Sequence, residues 1–283
     1  MANEIDLHIH TTASDGADSP AQLLENLRAA GIRIFAVTDH DTLGALEEIR
    51  ALTPPEMTFI PGIEFSCITP AGKCHILGYG FRPGDSRMAA ALEEGARLRR
   101  EKLHTRLRGL EKNNRITLTE AELRWLNSRS SPGKPHLGKI LADRGLAPDV
   151  SAAIRSYINP IPTPGDRIDA KLAIDGILHA GGIPVWAHPL GGEGEKPLSR
   201  EDFLAQLDTL TAHGIRGLEC YYSRYTRDQR NFLLQTARSR HLLISAGSDY
   251  HGSNKRDLPL GRLSAEQDGL LPCQVTLLDA LLR

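Results

Sequence analysis

Nowhere in the 283 residues is there an apolar run approaching the roughly 18 that a membrane-spanning helix needs. The N-terminus shows no basic segment leading into an apolar one, so no secretory signal is read and a cytoplasmic location is expected. Cysteine is scarce. Cys67, Cys74, Cys220 and Cys273 form no CxxC or other zinc-ligand spacing, which argues against redox chemistry and for buried thiols rather than disulfides. Charge is also balanced, with 34 Lys and Arg against 35 Asp and Glu. A net charge of -1 argues against a general basic coat for nucleic acid, although an average can hide a local cluster. Internal repeats and low-complexity tracts are absent. What is present is a 40% hydrophobic content, enough for one barrel-sized core or two smaller ones.

The first 80 residues alternate between strand and helix patterns: "IDLHIH", a helix over "SPAQLLENLRAAG", "IFAVTDHD", a helix over "LGALEEIRAL", then "TFIPGIEFSC" and "CHILGYGF". Repeated strand-helix units imply an α/β fold with parallel strands. Ser19 before Pro20 reads as an N-cap with a first-turn proline, and Gly31 as the glycine that ends the helix. Between about 86 and 165 the alternation stops for helices, "SRMAAALEEGARLRREKLHTRLRGLEKN" and "KPHLGKILADRG", followed by the proline-rich "INPIPTPGDR". It then resumes. This predicts a barrel made from residues 1–85 and 166–283, with an inserted helical subdomain at 86–165.

Potential metal ligands recur where these strands are expected to end. His8 and His10 stand two apart on one strand, so their side chains face the same way. Ile5, Leu7 and Ile9 take the opposite, apolar face. "TDHD" adds Asp39, His40 and Asp41; "GIEFS" adds Glu64; "CHILGYG" adds His75; "WAHP" adds His188; "GSDYHG" adds Asp249 and His251. By contrast His104, His179, His213 and His241 fall in helices or connections. A single histidine at a strand end is more often solvated or hydrogen-bonded than ligating, but repetition at one barrel face weakens that reading. Imidazole and carboxylate without thiolate fit Mn, Fe or Zn, and a carboxylate can bridge two ions. Such a cluster lowers the pKa of bound water and clamps a phosphoryl oxygen, which makes phosphoester hydrolysis the leading chemistry.

In order and spacing, "DLHIHTTASDG", "FAVTDHDT", "PGIEFS", "HILGYG", "AHP" and "GSDYHG" resemble the motifs of the PHP family, the polymerase and histidinol phosphatase family. The resemblance implies a distorted (β/α)7 PHP barrel with a site for two or three divalent ions. It assigns His8, His10, Glu64 and Asp249 to one ion, Glu64 with His75 and His188 to a second, and Asp15, His40 and His251 to a third. Manganese is the first choice of metal, before iron and zinc. Some relatives carry histidine where Asp15 stands. "HTTASDG", the helical insertion, "GKPH" and "YYSRYT" resemble more narrowly the branch of 3',5'-nucleoside bisphosphate phosphatases and 5'-to-3' exoribonucleases, with nucleotides or short RNA as substrates.

The segment 97–108 holds Arg97, Arg99, Arg100, Lys102, Arg106 and Arg108 against one acid, Glu101. On a helix Leu103, Leu107 and Leu110 form an apolar stripe edged by Arg99, Lys102 and Arg106. The plain reading is a solvated basic helix. Beside a phosphoesterase site the same edge becomes a 5'-phosphate clamp, and no other segment offers comparable charge. "GKPH" offers Lys134 and His136 as substrate contacts, His136 alternatively capping its helix. Tyr222 offers a face for base stacking and Arg224 a phosphate contact. Trp125 and Trp186 read as packing residues. The catalytic set is thus Glu64 with Asp15 or His136, and the role of general acid stays open among Asp15, His136 and a metal-bound water. Rival readings are a histidinol-phosphatase-like enzyme, an amidohydrolase, and a nucleic-acid-binding accessory module without turnover.

Overall fold

The computed structural model describes residues 3–163, 165, 167–192, 197–255, 257–266 and 269–282. After strand β1 (Ile5–Asp6), helix α1 (Pro20–Ala30) starts where the Ser19 hydroxyl accepts the Gln22 N–H, and ends at Gly31 with φ 77°. Strand β2 (Ile34–Val37) and helix α2 (Leu46–Leu52) complete a second unit. Strands β3 (Thr58–Thr69) and β4 (Gly72–Tyr79) then break the alternation. Only Pro70 and Ala71 separate them, and so short a connection joins only antiparallel strands. The 29-residue helix α3 (Ser86–Asn114) follows, then α4 (Glu120–Asn127), α5 (Lys134–Asp143) and α6 (Val150–Ala153), which runs into a π-helical turn at Ile154–Ile158. The remainder is β5 (Ile168–Asp169), α7 (Ala170–His179), β6 (Ile183–Trp186), α8 (Arg200–His213), β7 (Gly217–Tyr222), α9 (Arg227–Ser239), β8 (Leu243–Gly247) and α10 (Thr276–Leu281).

The main sheet runs β1-β2-β3-β4-β6-β7-β8, with β5 paired to β3 outside that path. β4 is antiparallel to both β3 and β6, which corrects the expectation of uniformly parallel strands. The two ends of the sheet meet: just after β1 the Leu7 N–H donates to Ala246 O of β8 at 3.0 Å, and farther along the His10 N–H donates to Tyr250 O at 2.9 Å. The sheet is thereby bent into a nearly closed, distorted barrel. Close approach at this seam requires Gly247, where a Cβ would stand 2.1 Å from that of His8.

Three apolar clusters hold the fold. Ile5 and Leu7 join the barrel core with Phe65, Ile76 and Trp186, whereas Ile9 packs with Leu23, Leu27 and Ile49 under α1 and α2. Each such side chain contributes about 1.5–3 kcal/mol on burial. The third cluster, with Leu103, Leu110, Leu126, Leu137 and Ile158, lies within the helical segment. α3 belongs to two of them, giving Met88, Ala91 and Leu98 to the barrel and Leu103 and Leu110 to the helices. One continuous helix therefore ties the basic edge at 99–106 to the barrel wall.

Candidate active site

The nine residues with ligand chemistry come together at one end of the barrel. His8, His10, His40, His188, Asp249 and His251 stand just beyond strands β1, β2, β6 and β8. Glu64 and His75 do not end strands: they lie inside β3 and β4, which extend past the rim as a hairpin. Because β4 runs the other way, its early residue His75 reaches the same end as residues that follow the parallel strands.

Glu64 is central. Its Oε2 lies 3.3 Å from His8 Nε2, 3.2 Å from His10 Nε2 and 3.0 Å from His40 Nδ1. Its Oε1 faces the other way, 2.9 Å from His75 Nδ1 and 3.3 Å from His188 Nε2. Asp249 Oδ1 lies 3.4 Å from both His10 Nε2 and His251 Nδ1. Asp15 approaches His251 Nε2 at 3.2 Å and His40 Nε2 at 3.8 Å. Three groups result: His8, His10 and Asp249; His40, Glu64 and His75; and His10, Asp15, His40 and His251.

These atoms fit divalent ions better than they fit one another. His8 Nε2, His10 Nε2, His40 Nδ1, His251 Nε2 and Glu64 Oε2 are buried with no partner in hydrogen-bonding geometry. Leaving five buried polar atoms unsatisfied in one place is costly unless something else binds them. Two ligand atoms, each about 2.1 Å from a shared ion and about 90–110° apart, stand about 3.0–3.4 Å from each other, the spacing found here. Burial lowers the His40, His75 and His251 imidazoles below their usual range, which keeps them neutral, the ligating form. At Glu64 burial would raise the carboxyl, but His40, His75 and His8 outweigh it and hold it well below the usual carboxylate range. Asp15 is likewise held low against its burial, by His251 and His40.

A buried carboxylate that sequence reasoning missed orders this cluster. Glu219, at the centre of β7, accepts the His8 Nδ1–H at 2.8 Å and the His188 backbone N–H at 2.7 Å. In the neutral, ligating form of the ring, the first bond would put the His8 proton on Nδ1 and turn the Nε2 lone pair into the site. The second holds His188 at φ 28°, a conformation costing about 1–3 kcal/mol. The available signal was the single acid in "GLECYY", since a charge inside an apolar strand has to be paired. Asp39 and Asp41, the acids flanking His40, turn away from the ligand groups. Asp39 accepts from the Thr11 N–H and the Thr11 and Ser14 hydroxyls, and Asp41 pairs with Arg99.

Above the cluster opens a cavity of about 840 Å³. Among the described residues its wall contains eight cations, Lys73, Arg99, Lys102, Arg106, Lys134, Arg155, Arg167 and Lys255, and one acid, Asp15. The charge is thus drawn from several segments rather than from 97–108 alone. Arg99 is fixed by Asp41 and by the Ser66 hydroxyl at 3.2 Å. Lys134 Nζ reaches Asn159 Oδ1 at 2.7 Å.

Other candidates are placed differently. His136 is buried beside Trp125, and its Nδ1 accepts the Gly133 N–H at 3.1 Å, so the ring caps α5. The wall there is formed by Gly133, Lys134 and Pro135. Arg224 pairs with Asp257 at 2.7 Å and does not line the cavity. Tyr222 offers no stacking face: it is fully buried, and its hydroxyl donates to Asp249 Oδ2 at 3.2 Å. Trp186 stacks on Phe203, as a packing residue does, and also borders the cavity.

Comparison with known proteins agrees with this architecture. The PHP domain family model matches residues 6–126. A 3',5'-nucleoside bisphosphate phosphatase from Chromobacterium violaceum is 29% identical over 265 residues, with 91% of each chain covered. A 5'-3' exoribonuclease from Haemophilus influenzae is 28% identical over 255 residues, covering 89% of this chain and 91% of the relative. Among solved structures, an amidohydrolase from Chromobacterium violaceum, with sulfate and no metal bound, superposes with a TM-score of 0.81 at 26% identity, covering 98% of this chain and 95% of that one.

Proposed function

We propose that the chain is a PHP-family metal-dependent phosphoesterase that removes the 3'-phosphate of 3',5'-nucleoside bisphosphates, such as adenosine 3',5'-bisphosphate, and also degrades short 5'-phosphorylated RNA from its 5' end, a reading supported by the PHP domain match and by the two named relatives. The observation that carries this reading is the joining of a histidine-carboxylate cluster to an eight-cation cavity in one site. No helix among the described residues is long and apolar enough to cross a membrane, in keeping with a cytoplasmic enzyme acting on nucleotides.

His8, His10, Glu64 and Asp249 would hold one ion, Glu64, His75 and His188 a second, and Asp15, His40 and His251 a third, with manganese the first choice. When bound, such ions polarise the phosphoryl group and neutralise the charge that builds on its oxygens. Glu64 offers one oxygen to each side and so sets the spacing of the two halves. Arg99, Lys102, Arg106 and Lys134 bind the remote 5'-phosphate, and Arg99 arrives already oriented by Asp41. The capping bond of His136 fixes the start of α5, and with it Lys134, so its role is to position. The helical segment 86–165 thereby acts as the substrate-recognition part of the molecule. An amide hydrolase is the second reading, after the solved relative of that name, but amide hydrolysis does not ordinarily require a wall of eight cations.

The test is phosphate release by manganese-loaded protein from adenosine 3',5'-bisphosphate, with 5'-AMP, 3'-AMP, histidinol phosphate and 5'-phosphorylated short RNA in parallel. Preferential formation of 5'-AMP supports the reading. No release from any ester at full metal occupancy overturns it and directs attention to amides.

A further inference from the structure

Of the eight cations in the cavity wall, four are given to the remote 5'-phosphate: Arg99, Lys102 and Arg106 from α3 and Lys134 from α5. Such a phosphate carries only about two negative charges. Arg155 lies on the π-helical turn that ends at Asn159, the partner of Lys134, and Lys255 is bonded to Asp249 Oδ2 at 3.1 Å. That leaves Lys73 and Arg167, which come from the barrel rather than from the helical segment. A mononucleotide bisphosphate has no third anion to meet them.

Both cations stand beside His75. Lys73 is two residues before it on β4, so the two side chains share a face, and both line the cavity. Arg167 arrives from the opposite edge of the hairpin. It precedes Ile168, which pairs with Cys67 on the edge of β3 away from β4, yet its Nη1 donates to Cys74 O at 3.4 Å. The guanidinium therefore crosses β3 and ends at the residue between Lys73 and His75. Lys73 is exposed and Arg167 half-buried. Among the described wall residues the one acid, Asp15, belongs to the ligand cluster, so no carboxylate of the wall offsets this pair.

RNA supplies the anion that a mononucleotide lacks. Cleavage at the 3'-oxygen of the first nucleotide acts on a phosphate whose 5'-ester carries the rest of the chain, and the next charge along is the phosphodiester after the second nucleotide. The cavity, about 840 Å³, is near the top of the range of about 300–1,000 Å³ for small-ligand sites, which leaves room beyond one nucleotide. We infer that Lys73 and Arg167 form a second anion subsite, which binds the phosphodiester after the second nucleotide of an RNA substrate and so favours oligoribonucleotides long enough to reach it. The inference rests on the phosphoesterase reading for its substrate class, but its test does not depend on turnover alone.

Wild type, Lys73→Gln, Arg167→Gln and the double variant are compared on adenosine 3',5'-bisphosphate and on the 5'-phosphorylated adenylate dimer and trimer, of which only the trimer carries the additional phosphodiester. Dimer and trimer binding to metal-stripped protein is measured by fluorescence competition, KM and kcat with manganese-loaded protein, and melting temperature throughout. Wild type should bind the trimer at least about 10-fold more tightly than the dimer. The double variant should lose that difference while its KM for the bisphosphate stays within about twofold of wild type. Each lost contact should also flatten the slope of log affinity against log salt for the trimer by about 0.7. Should Arg167→Gln fail to fold, Lys73→Gln, at an exposed position, carries the same comparison. Equal binding of dimer and trimer by wild type overturns the inference, as does a trimer preference that survives in the double variant. A rise in KM for the bisphosphate as large as that for the trimer also overturns it, because the two cations would then serve the mononucleotide. If wild type hydrolyses no ester, the phosphoesterase reading falls, while the binding arm still decides whether Lys73 and Arg167 hold a phosphodiester.

Discussion

Replacing Glu219 by glutamine tests how far the candidate metal centre depends on a residue that ligates nothing. The side chain keeps its shape but exchanges one acceptor oxygen for an NH2 group. Glu219 makes two bonds, one to His8 Nδ1–H at 2.8 Å and one to the His188 N–H at 2.7 Å, and both need an acceptor. If the new NH2 faces His188, two donors meet in a fully buried place, which costs about 1–3 kcal/mol of folding stability. If it faces His8 instead, it donates to Nδ1 and moves the ring proton to Nε2, the atom turned toward Glu64. Loss of such a supporting bond typically weakens metal binding about 10–100-fold. That corresponds to about 1.4–2.8 kcal/mol. Competition with a chelator of known affinity measures the metal term, and thermal melting of the metal-free protein measures the folding term. Glu219→Gln should show one or both losses. A variant with wild-type melting and metal affinity within twofold of wild type would refute the claim that Glu219 sets the His8 tautomer and holds the His188 backbone.

Glu64→Gln should lower bound metal and turnover together, by at least about 100-fold in rate, because a single carboxylate serves both halves of the cluster; elemental analysis beside kinetics checks this, and full metal with full rate contradicts it. Arg99→Ala and Lys102→Ala should both raise KM for the bisphosphate, but only Arg99→Ala should also lose about 3–5 kcal/mol of stability, since it strands the buried Asp41 carboxylate; equal melting temperatures for the two variants would argue against the pairing. On the surface, the Arg144 guanidinium holds the Glu122 carboxyl down to about 2, from an ordinary value of 4.5. A lowered folded-state value stabilises above about pH 4.5, and that contribution disappears as the pH falls toward about 2. Glu122→Gln should therefore cost up to about 1 kcal/mol at pH 7 and almost nothing at pH 2, read from denaturant melts at the two pH values.

How much of this was legible in the chain depends on the range of the forces involved. The Ser19 cap and Gly31 stop, the helix over 86–114, the apolar flank of Ile5, Leu7 and Ile9, and the recurrence of histidine and carboxylate at strand ends are local patterns. They are set by backbone hydrogen bonding within a few residues and by hydrophobic periodicity, so the sequence by itself determined them, and with them an α/β chain with candidate metal ligands. The tertiary structure alone decided the rest. It turned β4 antiparallel and so brought His75 to the same end as His8, and it placed Glu219 behind His8 and His188 although 211 residues separate it from His8. It spent His136 on a helix cap, Tyr222 on Asp249 and Arg224 on Asp257. Above all, it gathered Lys73, Arg99, Lys134, Arg155, Arg167 and Lys255 around one cavity in a chain whose net charge is only -1. Charges act through space, and closure of the barrel brings together residues that no window along the sequence contains.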